Sequence, residues 1–403
     1  MNTYFSELGK RVYARWENEN FSLEAFPAIA ARALEEKPPA KHVDLEELMR
    51  DFLLDDAQPF QTSSGFGQPE LIVYDNPKFY IQLLFWLDGT TDIHQHGFSG
   101  AFHVMEGSSI HSEFEFLNPL PVTAHFRLGD LKLKKTGLLE TGSTVQILSG
   151  NGCIHSLFHL ETPSVTVVVR THADPGSSPQ FTYLPPHVAL DPVKEDALTL
   201  RRKQLLDAME RTGDDRYAAL ASTMVGKLDL ERGFFILQNC MGHLRAIGAW
   251  ERVWKTFAKK HGKAAVMISP TLDEIVRRDA LVAMRSSIED VEHRFFLALL
   301  LTVPDRERIL AMIGERFPGK PLETVARWAG ELAITTEGGT WILDACFPED
   351  LQVAEEEQIP LFLGTLEHLI KGGKPLTWLA KYPKVLKPLK EALSNSSWRV
   401  LIR

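Results

Sequence analysis

GTTDIHQHGFSGAFHVMEG, residues 89–107, is the stretch on which the reading of the fold turns. It places His94 and His96 two residues apart, directly after the apolar run at 79–87. Side chains at i and i+2 of a β-strand leave the same face, so both imidazoles can reach one metal ion. A third histidine, His155, stands in GNGCIHSLFHL (150–160), after a glycine-rich turn and before another β-type run. Two histidines on one strand and one on a distant strand make a ligand set for a small barrel. Neutral imidazole suits iron, zinc, copper and nickel, so the pattern predicts a metal site at His94, His96 and His155 without choosing the metal.

Outward from this stretch the texture is uniform. LIVYD, FYIQLLFWL, AFHVM, IHSEFEF, AHFRLGDLKL, TVQIL, HSLFHL and SVTVVVR are short runs rich in β-branched and aromatic residues. Turn signals separate them at roughly ten-residue intervals, the rhythm of a sandwich or barrel. The β segment spans residues 61–188 and opens on a loop at 63–67. Residues 1–60 carry apolar residues at helical spacing and read as a helical cap. Residues 189–403 return to helical periodicity without a fixed repeat, which argues against a regular solenoid. The expected fold is α+β: a β barrel with a short N-terminal helical cap and a large all-α C-terminal domain. Lys255, Lys259, Lys260 and Lys263 read as a solvated helix end, and the helical tryptophans as core.

Composition narrows the function. The chain has 403 residues, 44% hydrophobic and 24% charged, which fits a soluble globular protein of two or three domains. A net charge of −9 argues against general nucleic-acid binding. No apolar run reaches membrane-spanning length, and the N-terminus lacks a signal-peptide core, so a cytoplasmic protein is expected. Three cysteines without CxxC spacing indicate neither a disulfide framework nor a zinc–cysteine site.

The β segment resembles the cupin superfamily, a double-sheet jelly roll. The first cupin motif is matched by Gly89, His94-Gln95-His96 and the turn ending at Gly107, and the second by Gly150, Gly152 and His155. Many metal-binding cupins add a glutamate after HxH. Here no acid lies between His96 and Glu106. The three-histidine set is similar to that of the thiol dioxygenase branch, the cysteine and 3-mercaptopropionate dioxygenases. That resemblance implies Fe(II) as cofactor and O2 and a small-molecule or peptide thiol as substrates, while the imidazole ligands by themselves leave zinc or nickel as alternatives. Gly100 stands where the animal enzymes carry a crosslinked cysteine. The usual upstream arginine is missing, since the run 60–87 contains none.

Four further residues are candidates around the metal. Arg170 and His172 share strand parity and are expected to point inward. Arg170 would then clamp a substrate carboxylate, which a guanidinium pairs with bidentately. His172 is expected to transfer protons, its pKa lying near neutrality. His159 shares the strand face of His155 and is a second candidate for proton transfer. His103, on an apolar stretch after HxH, is read as a pocket histidine that touches substrate. The helical half is expected to form a homodimer contact or to bind a protein partner. The alternative to an enzyme is a non-catalytic cupin scaffold whose helices hold that partner.

Overall fold

The computed structural model describes residues 3–62, 66–87, 89, 91–177, 179–347, 353–372, 377 and 382–402. Residues 63–65 of the expected loop, Trp378 and the side chain of Trp341 lie outside the described residues.

The chain opens with α1 (Thr3–Asn18), α2 (Phe26–Glu36), α3 (Pro39–His42) and α4 (Leu45–Leu54). Asp44 starts α4 by accepting a hydrogen bond from the Glu47 amide at 3.0 Å, the ordinary N-cap arrangement. Eleven strands follow: β1 (Glu70–Asp75), β2 (Phe79–Trp86), β3 (Ile93–His96), β4 (Gly100–Glu106), β5 (Ser108–Pro121), β6 (Phe126–Glu140), β7 (Thr144–Ile147), β8 (Gly150–His159), β9 (Ser164–Thr171), β10 (Thr182–Leu184) and β11 (Val188–Leu190). All pairings are antiparallel. One sheet runs β1-β2-β9-β4-β7, and the other strands close into a barrel, β10-β11-β6-β5-β8-β3. The hairpin β10–β11 closes that barrel and carries the β segment just past the boundary expected at 188. Its strands are three residues long and straddle Pro185-Pro186, too short to show periodicity.

Strand alternation sorts the side chains into layers. On β2, Phe79, Ile81, Leu83 and Phe85 pack under α1 and α2, while Leu84 and Trp86 face the opposite way, into a core shared with Phe102, Leu157 and Val168. The barrel keeps a small core of its own around Ile93, Phe114, Ile154 and Tyr183. His94, His96 and His155 therefore lie outside the closed barrel. They stand between its β3–β8 wall and the five-stranded sheet.

The helical half comprises α5 (Ala197–Arg211), α6 (Tyr217–Lys227), α7 (Leu230–Ala246), α8 (Trp250–His261), α9 (Lys263–Ser286), α10 (Val291–Thr302), α11 (Arg306–Arg316), α12 (Pro321–Thr335), α13 (Glu337–Cys346), α14 (Glu355–Lys371) and α15 (Pro383–Asn395). Asp196, Asp229, Asp290 and Asp305 cap α5, α7, α10 and α11, each accepting from an amide three residues on. Two apolar cores result. The first, from α5 into α9, buries Phe126, Leu128 and Val188 of the barrel. The second, from α9 to the C-terminus, buries Ile110, Phe158 and Leu160. Trp328 and Trp398 are buried in that second core, but Trp250 and Trp254 are only half-buried. Lys259 and Lys260 end α8 in solvent, where lysine suits the helix dipole. No helix among the described residues is long and apolar enough to cross a membrane.

Candidate metal centre

His94, His96 and His155 come together as the parity of the sequence predicts. Their ring centroids form a near-equilateral triangle of 4.8, 4.9 and 4.8 Å. His94 pairs in register with His155, but His96 pairs with Gly150, so the ladder slips within the glycine-rich turn. That irregularity holds three imidazoles on two strands at one point. The group can hold a metal ion.

The hydrogen bonds select the ligand atoms. His94 Nδ1 lies 2.7 Å from the Asp92 carbonyl, which can only accept, so Nδ1 carries the proton and Nε2 a lone pair. His155 Nδ1 lies 2.8 Å from Nε2 of His111 on β5. With His155 Nδ1–H donating, His155 Nε2 is left as a ligand, and His111 Nδ1 carries its own proton 3.9 Å from Glu113. Burial lowers the pKa of His94 and drives those of His96 and His155 well below the usual histidine range, the latter two aided by the other charges in the cluster. Burial also holds His111 at about 4. All four rings are thus neutral near pH 7, the state in which imidazole binds metal. His94 Nε2 and His96 Nδ1 are buried without a hydrogen-bond partner. Each such orphan costs about 1–3 kcal/mol, a penalty that a bound cation removes. The residues therefore fit a metal.

A cavity of about 40 Å3 adjoins the triad, room for roughly three water molecules. Its walls are mostly apolar: Leu84, Trp86, Phe98, Phe102, Leu157 and Val168. Phe66, 47% exposed, lies at its outer side, 5.4 Å from Trp86 and 5.9 Å from His94. Gln82, on the same wall, is 2% exposed, and its Oε1 has no partner.

Arg170 lines this cavity, as its parity predicts. Its guanidinium stacks 3.3 Å over Phe98, whose ring sits 4.7 Å from His96. Among the described residues it donates only to the Thr171 and His172 carbonyls, at 3.3 and 3.4 Å. The nearby Asp174 carboxylate is already taken by Ser99 and Thr171. No carboxylate among the described residues forms an ion pair with Arg170, and burial lowers its pKa.

The other candidates lie elsewhere. His172 stands beyond the end of β9, 46% exposed in its side chain, and bonds the Asn76 carbonyl at 2.8 Å. Parity no longer governs a residue outside the ladder, so the expected proton-transfer role is not met. His103 shares its strand face with Ala101, under the N-terminal helices, and bonds Thr144 at 2.8 Å. It faces away from Phe102 and the cavity, which removes it from substrate contact. His159 does share the side of His155, but it stacks on Trp86 at 4.8 Å and bonds Ser164, behind the cavity wall. Burial lowers its pKa to about 3. Gly89 is required there, since a Cβ would meet the His159 ring at 2.6 Å. Gly100 has no room for a side chain either, a Cβ meeting the Val169 carbonyl at 2.1 Å. His111 is the site residue that sequence reasoning missed. Comparison of the chain with protein-family models and with curated proteins gives no match.

Proposed function

We propose that this is a cupin-type, iron(II)-dependent dioxygenase site that oxidises a small anionic thiol, R–S⁻ + O2 giving R–SO2⁻. The observation that carries the reading is the buried triad beside a cavity that Arg170 also lines, with no carboxylate among the described residues paired to that guanidinium. Support for a jelly roll comes from the pairing order β2-β9-β4-β7 against β3-β8-β5-β6, as two interlocked Greek keys would give. His94, His96 and His155 would hold the iron, which would supply the redox chemistry for oxidation of a thiolate by O2.

The chain's own residues do the rest. His111 fixes the tautomer and orientation of His155, as outer partners of ligating histidines do. Arg170 binds a substrate carboxylate and is itself held flat by Phe98. Trp86, Phe66 and Phe102 keep water out, which strengthens the Arg170–carboxylate pair. The 40 Å3 cavity favours a compact substrate such as a mercapto acid over a peptide.

The test is elemental analysis of untagged protein after anaerobic iron(II) loading, beside a His94→Ala/His155→Ala double variant, followed by O2 uptake with 3-mercaptopropionate and cysteine. The reading expects about one iron per chain, lost in the variant, and thiol-dependent O2 uptake. Arg170→Met is expected to raise KM for the carboxylate-bearing thiol about 10–100-fold. Bound metal without O2 uptake for any small thiol would refute the dioxygenase and leave a Lewis-acid centre. No metal in either protein would leave the scaffold reading.

A further inference from the structure

Away from the histidines, a cavity of about 530 Å3 lies between the barrel and the helical half. This is the size range of small-molecule sites. Its walls come from β6, Pro185-Pro186, α9 and the end of α10, closed by Arg399 near the C-terminus. The charged side chains that line it are mostly cationic. Lys132, Arg277, Arg278 and Arg399 line it against a single carboxylate among the described residues, Glu274.

Glu274 is already committed. It accepts two bonds from Arg277, at 2.6 and 2.9 Å, and pairs with Arg399 as well. Arg277 and Arg278 also cap the last carbonyls of α10, donating to Leu300 and Leu301 at 2.8 and 2.9 Å. This capping uses one Nη of Arg278 and leaves the rest of its fork on the cavity. Neither Arg278 nor exposed Lys132 has an ion-pair partner among the described residues. Burial lowers the Arg278 pKa to about 10, against the attraction of Glu274, Asp92 and Asp279.

We propose that this cavity binds a small molecule carrying a phosphate group, with Arg278 and Lys132 on the phosphate and Phe114, Leu133 and Val303 against an apolar body. A guanidinium fork matches phosphate geometry, and a dianion offsets the excess charge better than a monoanion. The site is independent of the metal centre.

The experiment is titration calorimetry of the full chain with pyrophosphate and with AMP, at low and at physiological salt. One of the two probes is expected to bind with Kd below about 1 mM, more weakly as salt rises. Arg278→Gln is expected to weaken it about tenfold or more, and Lys132→Gln severalfold. Lys132 is exposed, so its variant tests the site without disturbing the fold, and Lys259→Gln on α8 serves as a surface control. Three results would overturn the proposal: neither probe binding, affinity unchanged in both site variants, or citrate binding as tightly as pyrophosphate.

Discussion

Replacing His111 by alanine removes one hydrogen bond, yet that bond decides which nitrogen of His155 faces the metal. Loss of such an outer partner is expected to weaken metal affinity about 10–100-fold, read by competition with a chelator. His111→Gln, which still offers a polar group, should recover part of the loss. Equal affinity in wild type and His111→Ala would show that the contact is packing only. His103 makes a different prediction. Burial holds its pKa at about 4, against 6.5 for a free histidine. The unfolded chain therefore binds the proton more readily. The stability due to neutral His103 is present in full above pH 6.5 and is lost as the pH falls through about 4. The amount is on the order of 3 kcal/mol. Acid titration of folding in His103→Gln should show a shallower fall than wild type between these limits. A parallel fall in the two proteins would mean that His103 titrates normally.

At the scale of elements, β8 connects the centre to the helices. Its His155 face serves the site, while its far end is held from behind. Arg285 on α9 donates to the His159 carbonyl at 2.9 Å, and Arg294 on α10 donates to the Leu160 carbonyl at 2.8 Å and to the Thr162 hydroxyl at 2.9 Å. Both arginines are buried. Arg294→Met should cost about 2–4 kcal/mol, since it leaves carbonyls buried without donors. Hydrogen exchange should quicken at residues 155–162 before it does in β1, and uniform quickening would count against a local role. The triad was legible in the sequence because strand parity is local, and the Arg170 side followed from the same rule. His111 was not, because its meaning depends on the β5–β8 pairing of residues 44 apart in sequence. His172 and His103 failed for opposite reasons: one lies past the strand's last rung, and the other sits on the strand's outer face.

At the scale of the whole molecule, the helical half covers the barrel rather than hanging from it. Ile110, Phe158 and Leu160 enter one helical core, and Phe126, Leu128 and Val188 the other. A chain cut at residue 192 would expose both patches and should aggregate, since apolar surface of that extent associates. Light scattering of the truncated protein would show this, and a folded monomer would refute it. The change of periodicity near 60 and 190 marked where helices give way to strands and back. It carried no sign of the arginines that fasten the halves, because buried arginines look in sequence like the solvated ones of any helix.

The chamber beside the histidines has a kinetic consequence. Its free space beside the histidines is about 40 Å3, too little for a chelator such as EDTA to surround an ion there, and Phe66 and Trp86 stand around it. Metal seated on the triad would therefore exchange slowly, and competition with a chelator would need to be followed to equilibrium. The ion found in purified protein would then record the metals present while the chain folded, rather than the order of their affinities.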